Sequence, residues 1–344
     1  MNGRGIQTLI EAALLIIGEI IIGYRTVQRK KVTGIMFRKA EILSRIELRQ
    51  STIKDWLSCP LMFRYRHVLK LDPSYRSLAA IHGSALHLAI YRLHLNGFDQ
   101  ELGVLYAEAL EETLREEAHI PIHWKNEPDE DVSILKTHGF EILKGYVNHE
   151  RNRNDTLLFS EVKFRVRVSG MMLTGTIDQV RRSTVGTCEL IDLKSGMQRP
   201  FKRGLRRDWQ LNLYAYALRY GEVLVNGSWL RIKMKVQRTS IYFLRAHEIY
   251  KRDGKYGKKG SQKGQPWISV EKPSWELFQF KQELRNIIKM MTRDWAFPNT
   301  TSCGFCAYHD QCDDRIGMHL SNAYRKVSHL ILPQETLGTK KGEL

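Results

Sequence analysis

The hydrophobic pattern changes period near the middle of the chain. Its first half reads as helical, with helices predicted over residues 52–60, 78–95, 100–118 and 133–149. Thr52 followed by Asp55 resembles a helix start, because a hydroxyl and an early carboxylate can both meet free N–H groups. The polar, proline-flanked stretch from Pro121 to Asp131 reads as a surface connection. Residues 158–168 (LFSEVKFRVRV), 171–181 (MMLTGTIDQVR) and 187–194 (TCELIDLK) then alternate and are rich in branched and aromatic residues, as strands are. Turns at Ser169-Gly170 and over 183–186 make these three consecutive antiparallel strands. A helix over 205–219, strands near 228–236 and 240–248, and a helix over 274–295 complete the prediction. Leu277, Phe280, Leu284, Ile287 and Ile288 supply the last helix with its apolar stripe.

At 344 residues and 42% hydrophobic, the chain can bury a core without crosslinks, and wholesale disorder is excluded. Its formal charge of +17 exceeds what solubility asks for and suggests a polyanionic partner, either nucleic acid or an anionic membrane surface. Residues 251–264 (KRDGKYGKKGSQKG) form a basic, glycine-rich loop, either solvated or touching phosphate.

The apolar segment of residues 9–24, with basic residues at Arg25, Arg29, Lys30 and Lys31, leaves three readings open: a packing helix, a membrane span or a surface anchor. It contains Glu11 and Glu19 and is short for a hydrocarbon core of about 30 Å. It lacks a signal-peptide cleavage pattern. The expected location is cytoplasmic, with membrane association through residues 9–24 kept open and the remainder of the chain on the cytoplasmic side. In a reducing compartment, Cys303-x2-Cys306-x5-Cys312 reads as metal ligands rather than disulfides. Cys59 is the candidate fourth ligand; the spacing does not distinguish zinc from iron and sulfur. Cys188, on a strand, reads as packed. Arg64, Tyr65, Arg66 and His67 either meet nucleic acid or form a packed basic helix.

Candidate chemistry centres on Ile191-Asp192-Leu193-Lys194. On a strand, Asp192 and Lys194 share one face while Ile191 and Leu193 face the opposite layer. A hairpin turning near 183–186 brings Asp178 close to cross-strand opposition with Asp192. Two such carboxylates repel unless a cation joins them, and magnesium or manganese suits oxygen ligands. Upstream, Gly83 and His87 share a helical face, the glycine allowing close approach. Downstream, Gln210 and Tyr214 share another.

In this order the motifs resemble the RecB-like branch of the PD-(D/E)xK nuclease superfamily, and most closely its CRISPR-associated single-domain iron–sulfur exonucleases and helicase-associated nucleases. GSALH carries His87, GTIDQV Asp178, IDLKS Asp192 and Lys194, and QLNLYAY Gln210 and Tyr214. The resemblance implies an α/β, restriction-endonuclease-like core: a central mixed sheet flanked by helices, a helical N-terminal elaboration and a C-terminal iron–sulfur segment. By it, His87, Asp178, Asp192 and the carbonyl of Leu193 bind the metal, Lys194 is catalytic, Gln210 and Tyr214 support the site or engage phosphate, and Glu161 is an auxiliary carboxylate. It further implies a 4Fe-4S cluster on Cys59, Cys303, Cys306 and Cys312, with zinc as the alternative occupant. Residues 1–48 are then an N-terminal region, 49–315 the nuclease domain and 316–344 a tail. The expected activity is magnesium- or manganese-dependent hydrolysis of DNA at single-stranded ends, alongside a helicase or CRISPR-adaptation partner. The alternative is an idle iron–sulfur subunit that binds nucleic acid.

Overall fold

The computed structural model describes residues 42, 46–196, 202–247, 250–252, 255–257, 266–293, 297–309 and 311–312. Two compact units divide the chain, Arg45–Ala307 and a second made of Met1–Ser44 with Tyr308–Leu344, of which few residues are described.

The first unit is built on a sheet with helices on both faces. Its strands are β1 (Leu48–Arg49), β2 (Thr156–Val168), β3 (Met171–Arg182), β4 (Cys188–Lys194), β5 (Glu222–Val225), β6 (Ser228–Leu230), β7 (Arg238–Phe243) and β8 (Trp267–Glu271). The helices are α1 (Gln50–Ser58), α2 (Leu78–Asn96), α3 (Leu102–Glu116), α4 (Pro128–Arg151), α5 (Trp209–Tyr220) and α6 (Ser274–Met291). The strands make one mixed sheet in the order β8-β7-β4-β3-β2-β5-β6, with β1 beside β3. β2, β3 and β4 are antiparallel neighbours as predicted, whereas β7 runs parallel to β4 after the α5 crossover.

One face of the sheet is covered by α2, α3 and α4. Ile81, Ala85, Leu86, Ala89, Ile90 and Leu93 recur at helical spacing along α2 and are essentially buried. They pack with Tyr106, Ile142, Tyr146, Ile191, Leu193 and Tyr242, and each large aliphatic so buried contributes roughly 1.5–3 kcal/mol. The hydroxyl of Ser77 caps α2 by accepting the Ala80 N–H at 3.3 Å, and Gly97, at φ +95°, ends it where a side chain would be strained. On the other face, Tyr214 of α5 meets Phe164 of β2 edge-on, and Trp209 packs against Phe280 of α6.

Several local expectations are corrected. α4 begins at Pro128, inside the predicted connection: proline suits a first helical turn, and Asp129, Glu130 and Asp131 complement its free N–H groups. Thr52 lies inside α1 rather than before it, accepting the Arg49 N–H at 3.1 Å and donating to the Glu47 carbonyl. The strand expected over 228–236 stops at Leu230. Its hairpin turns at Asn226-Gly227, both at positive φ, and the chain beyond bonds to the end of α5, Met234 N–H donating to the Leu218 carbonyl. Arg64 and Tyr65 are buried, and Arg66 and His67 both grip Asp55 at 2.8 Å, so this segment is a packed one.

The iron–sulfur segment, and with it the zinc alternative, is also corrected. Among the described residues, Cys59, Cys303, Cys306 and Cys312 form no disulfide, and no three of them bring their sulfurs within 4.8 Å of one another. The Cys59 region is instead tied to the residues near 300 by hydrogen bonds: Asn299 Nδ2 and Ser302 Oγ donate to the Ser58 carbonyl at 2.8 and 3.1 Å, and Leu61 N–H to the Phe297 carbonyl. The expectation of membrane association is corrected as well. Among the described residues no helix is long and apolar enough to cross a membrane, and residues 9–24 lie outside them.

Candidate metal centre

β3 changes partners along its length. Gln179–Arg182 pair with Ile191–Cys188 of β4, while Leu173 and Thr174 pair in parallel with Leu48 and Arg49 of β1. The sheet forks between these stretches, and Asp178 stands at the fork, one residue past the last β3–β4 pair. Asp192 would have opposed it had the ladder continued. The Leu193 N–H, released from that ladder, donates instead to Asp178 Oδ2 at 2.7 Å, so the end of pairing fixes the carboxylate.

On the other edge of β3, Ser160 pairs with Gln179 and Val162 with Ile177, which sets Glu161 opposite Asp178. Glu161 adopts φ +47°, a left-handed conformation that costs about 1–3 kcal/mol in a non-glycine residue. The kink carries its carboxylate to His87 Nδ1 at 2.9 Å, and the same nitrogen lies 3.9 Å from Asp178 Oδ2. One ligand atom from each of His87, Glu161 and Asp178 falls within 4.8 Å of the others. Helix α2 reaches this position because Gly83, one turn before His87, leaves room for Ser195: a Cβ there would stand 2.7 Å from Ser195 Oγ. The close approach expected of that glycine is thus to a side chain just beyond β4.

Asp192 and Lys194 project from β4 away from Ile191 and Leu193, as the alternation requires. Lys194 Nζ is 2.7 Å from Asp192 Oδ2 and donates to Gln210 Oε1 at 2.8 Å. Gln210 Nε2 in turn donates to Tyr214 Oη at 2.8 Å. Lys194 meets Asp192 at Oδ2, and the buried Oδ1 of Asp192 has no hydrogen-bond partner.

The electrostatics follow from so much buried acid. Burial pushes Asp192 up to about 7 against the pull of Lys194, with Asp178 pushing the same way. Asp178 is raised too, by burial and by Glu161, although His87 draws it down. Burial would depress His87, but Asp178, Glu161 and Asp192 outweigh it and lift the imidazole to about 9. Lys194 is raised above its ordinary value because Asp192, Asp178 and Asp208 overcome its burial. A protonated histidine therefore serves as local countercharge to a set of carboxylates.

The residues fit a hard divalent cation such as magnesium or manganese. Oxygen donors predominate, a neutral imidazole can join them, and the orphaned Oδ1 of Asp192 is costly to bury without a partner. Sequence reasoning placed His87, Asp178, Asp192, Lys194, Gln210 and Tyr214, and the fold gathers all six. It gave Glu161 the least specific role, yet Glu161 makes the shortest contact to His87. A signal was available: residues 161 and 178 are equidistant from the Ser169-Gly170 turn. Leu193 contributes its N–H here.

The sequence pattern of the PD-(D/E)XK nuclease superfamily matches residues 47–313. The chain belongs to the PD-(D/E)XK nuclease superfamily. Membership is consistent with metal-dependent nuclease activity, and the match is to the superfamily as a whole rather than to a RecB-like or CRISPR-associated branch. No curated protein sequence gave a match. Among solved structures, this superfamily member is similar to a protein described as a "Putative exonuclease" from Eubacterium rectale, at 10% identity and a TM-score of 0.44, over 79% of this chain and 90% of that one. It is also similar to SSO0001, at 13% identity and a TM-score of 0.28, over 77% and 96%.

Proposed function

We infer that this chain is a divalent-metal-dependent deoxyribonuclease that hydrolyses phosphodiester bonds at single-stranded ends, and that residues 49–315 are its nuclease domain. The observation that carries the reading is the convergence of His87, Glu161 and Asp178 beside an Asp192 whose buried Oδ1 has no partner. The RecB-like branch is our finer assignment, resting on GSALH, GTIDQV, IDLKS and QLNLYAY.

In this reading Asp178, Asp192, Glu161 and His87 hold magnesium or manganese, with the Leu193 carbonyl as a further ligand. When bound, the ion would polarise the phosphodiester and acidify a water. His87 must shed its proton to bind, and the surrounding carboxylates keep it close until then. Lys194 stays an ammonium, so it acts as a donor rather than a base: it orients the attacking water or neutralises charge growing on the phosphate oxygens. Gln210, anchored by Tyr214, holds Lys194 together with Asp192. Water adds its oxygen to phosphorus, one P–O ester bond breaks, and the departing oxygen takes up a proton.

The test is cleavage of end-labelled single- and double-stranded DNA with magnesium or manganese, beside Asp192→Ala. Metal-dependent products from the single strand, growing from one end and lost in the variant, are expected. DNA bound but left intact would overturn the reading.

A further inference from the structure

The helical stripe that carries His87 continues past the metal centre. Tyr91 and Leu95 follow it at one and two turns, about 6 and 12 Å along the axis. Unlike the buried residues on the opposite side of α2, they are 36% and 66% exposed. Both line an open cavity of about 540 Å³, bordered by residues 157–163 of β2 and by the β5–β6 turn, with Phe159, Leu224 and Lys163 in its wall. Pockets of roughly 300–1,000 Å³ suit a small organic ligand. Exposed aromatic and aliphatic side chains gathered in a concavity mark a binding surface more often than scattered ones do.

Glu161 identifies the occupant. It lines this cavity and also belongs to the close group with His87 and Asp178. Whatever sits there therefore adjoins the group attacked at the metal centre. Apolar walls with an aromatic ring suit a base face, the exposed Lys163 suits a neighbouring phosphate, and the chain's charge of +17 suits a polyanion.

Resting on the nuclease reading, we propose that the cavity lined by Tyr91, Leu95, Phe159 and Leu224 receives one unpaired base of the nucleotide next to the scissile phosphate, stacked on Tyr91. Since a base enters only when freed from its duplex partner, the pocket is also the device that selects single strands.

The probe is a single-stranded oligonucleotide carrying 2-aminopurine, titrated with full-length protein in calcium, beside the same strand with an abasic position. We expect quenching of the fluorescent base and weaker binding of the abasic strand, by about five- to a hundredfold, the range of one stacked base. Both differences should disappear in Tyr91→Ala and persist in Tyr91→Phe. Equal affinity for the two strands, or quenching unchanged in Tyr91→Ala, would overturn the proposal and leave an apolar peptide as the better occupant. Hydrolysis of bis-p-nitrophenyl phosphate, which has no base, is followed separately with manganese. Its loss in Asp192→Ala but not Tyr91→Ala is expected. Its absence from the wild type would sink the nuclease reading, while the binding result would still decide the pocket.

Discussion

The two ends of the β3–β4 ladder bury charge in opposite ways. At the end away from the fork, Arg181 Nη1 meets Glu150 at 2.9 Å and its Nε meets Asp155 at 2.9 Å. Arg153 closes the group on Asp155 and lies over the Trp267 ring at 4.4 Å. Two guanidiniums balance two carboxylates, and although burial raises Asp155, Arg153 and Arg181 bring it below its ordinary value. Three residues away, Asp178 stands beside Glu161 and Asp192, and one lysine plus a borrowed proton on His87 do not balance them. The paired end resembles a structural brace. The unpaired end is what remains when a site is shaped for an ion that its own side chains do not replace.

Replacing charges at each end should separate the two roles. The largest effect on turnover is expected from Asp192→Ala, a fall of about a thousandfold or more in metal-dependent cleavage. Its metal-free stability to urea should be equal to or above that of the wild type, because a repelling carboxylate is gone. Next, Arg181→Ala should lose about 3–5 kcal/mol of stability by leaving Arg153 alone against the buried Glu150 and Asp155, measured by urea unfolding. Cleavage by the fraction still folded should persist. A third variant, Lys194→Ala, should lower kcat by about a hundredfold, as loss of one well-placed donor does, and leave manganese affinity within severalfold in a titration.

The smallest effect is a pH dependence of opposite sign at the two ends. His87, at about 9 against an unfolded 6.5, contributes stability that is complete below 6.5 and lost as pH rises through 9. Asp192, at about 7 against 3.8, contributes stability present at acid pH and lost as pH rises through 7. Asp155, depressed, contributes stability present above its unfolded value and lost only on acidification. The rise in Tm on adding magnesium should therefore be larger at pH 8.5 than at pH 6, since the ion replaces protons that the fork has then released. A gain independent of pH would place the ion elsewhere.

How much of this was legible in the sequence depended on distance along the chain. Asp192 and Lys194 were readable because period two fixes which side chains share a face. Asp178 followed from a short hairpin, whose actual register sets it opposite Asp192 where the ladder ends. The fork was not legible, because β1 is two residues long and pairs with a strand more than 120 residues away. The Arg153–Asp155–Arg181–Glu150 brace has no motif and exists only once α4 lies against β3. The cysteine expectation failed for a related reason. Close spacing in sequence states which thiols can gather, but not that the fold will turn their sulfurs together.

Calorimetric titration of manganese into the full-length protein at pH 8, with Asp192→Asn and Arg181→Met as the two comparisons, tests the central claim most directly. The account predicts strong binding to the wild type and to folded Arg181→Met, and its loss or severe weakening in Asp192→Asn. Manganese that bound all three proteins equally, or failed to bind the wild type, would contradict it.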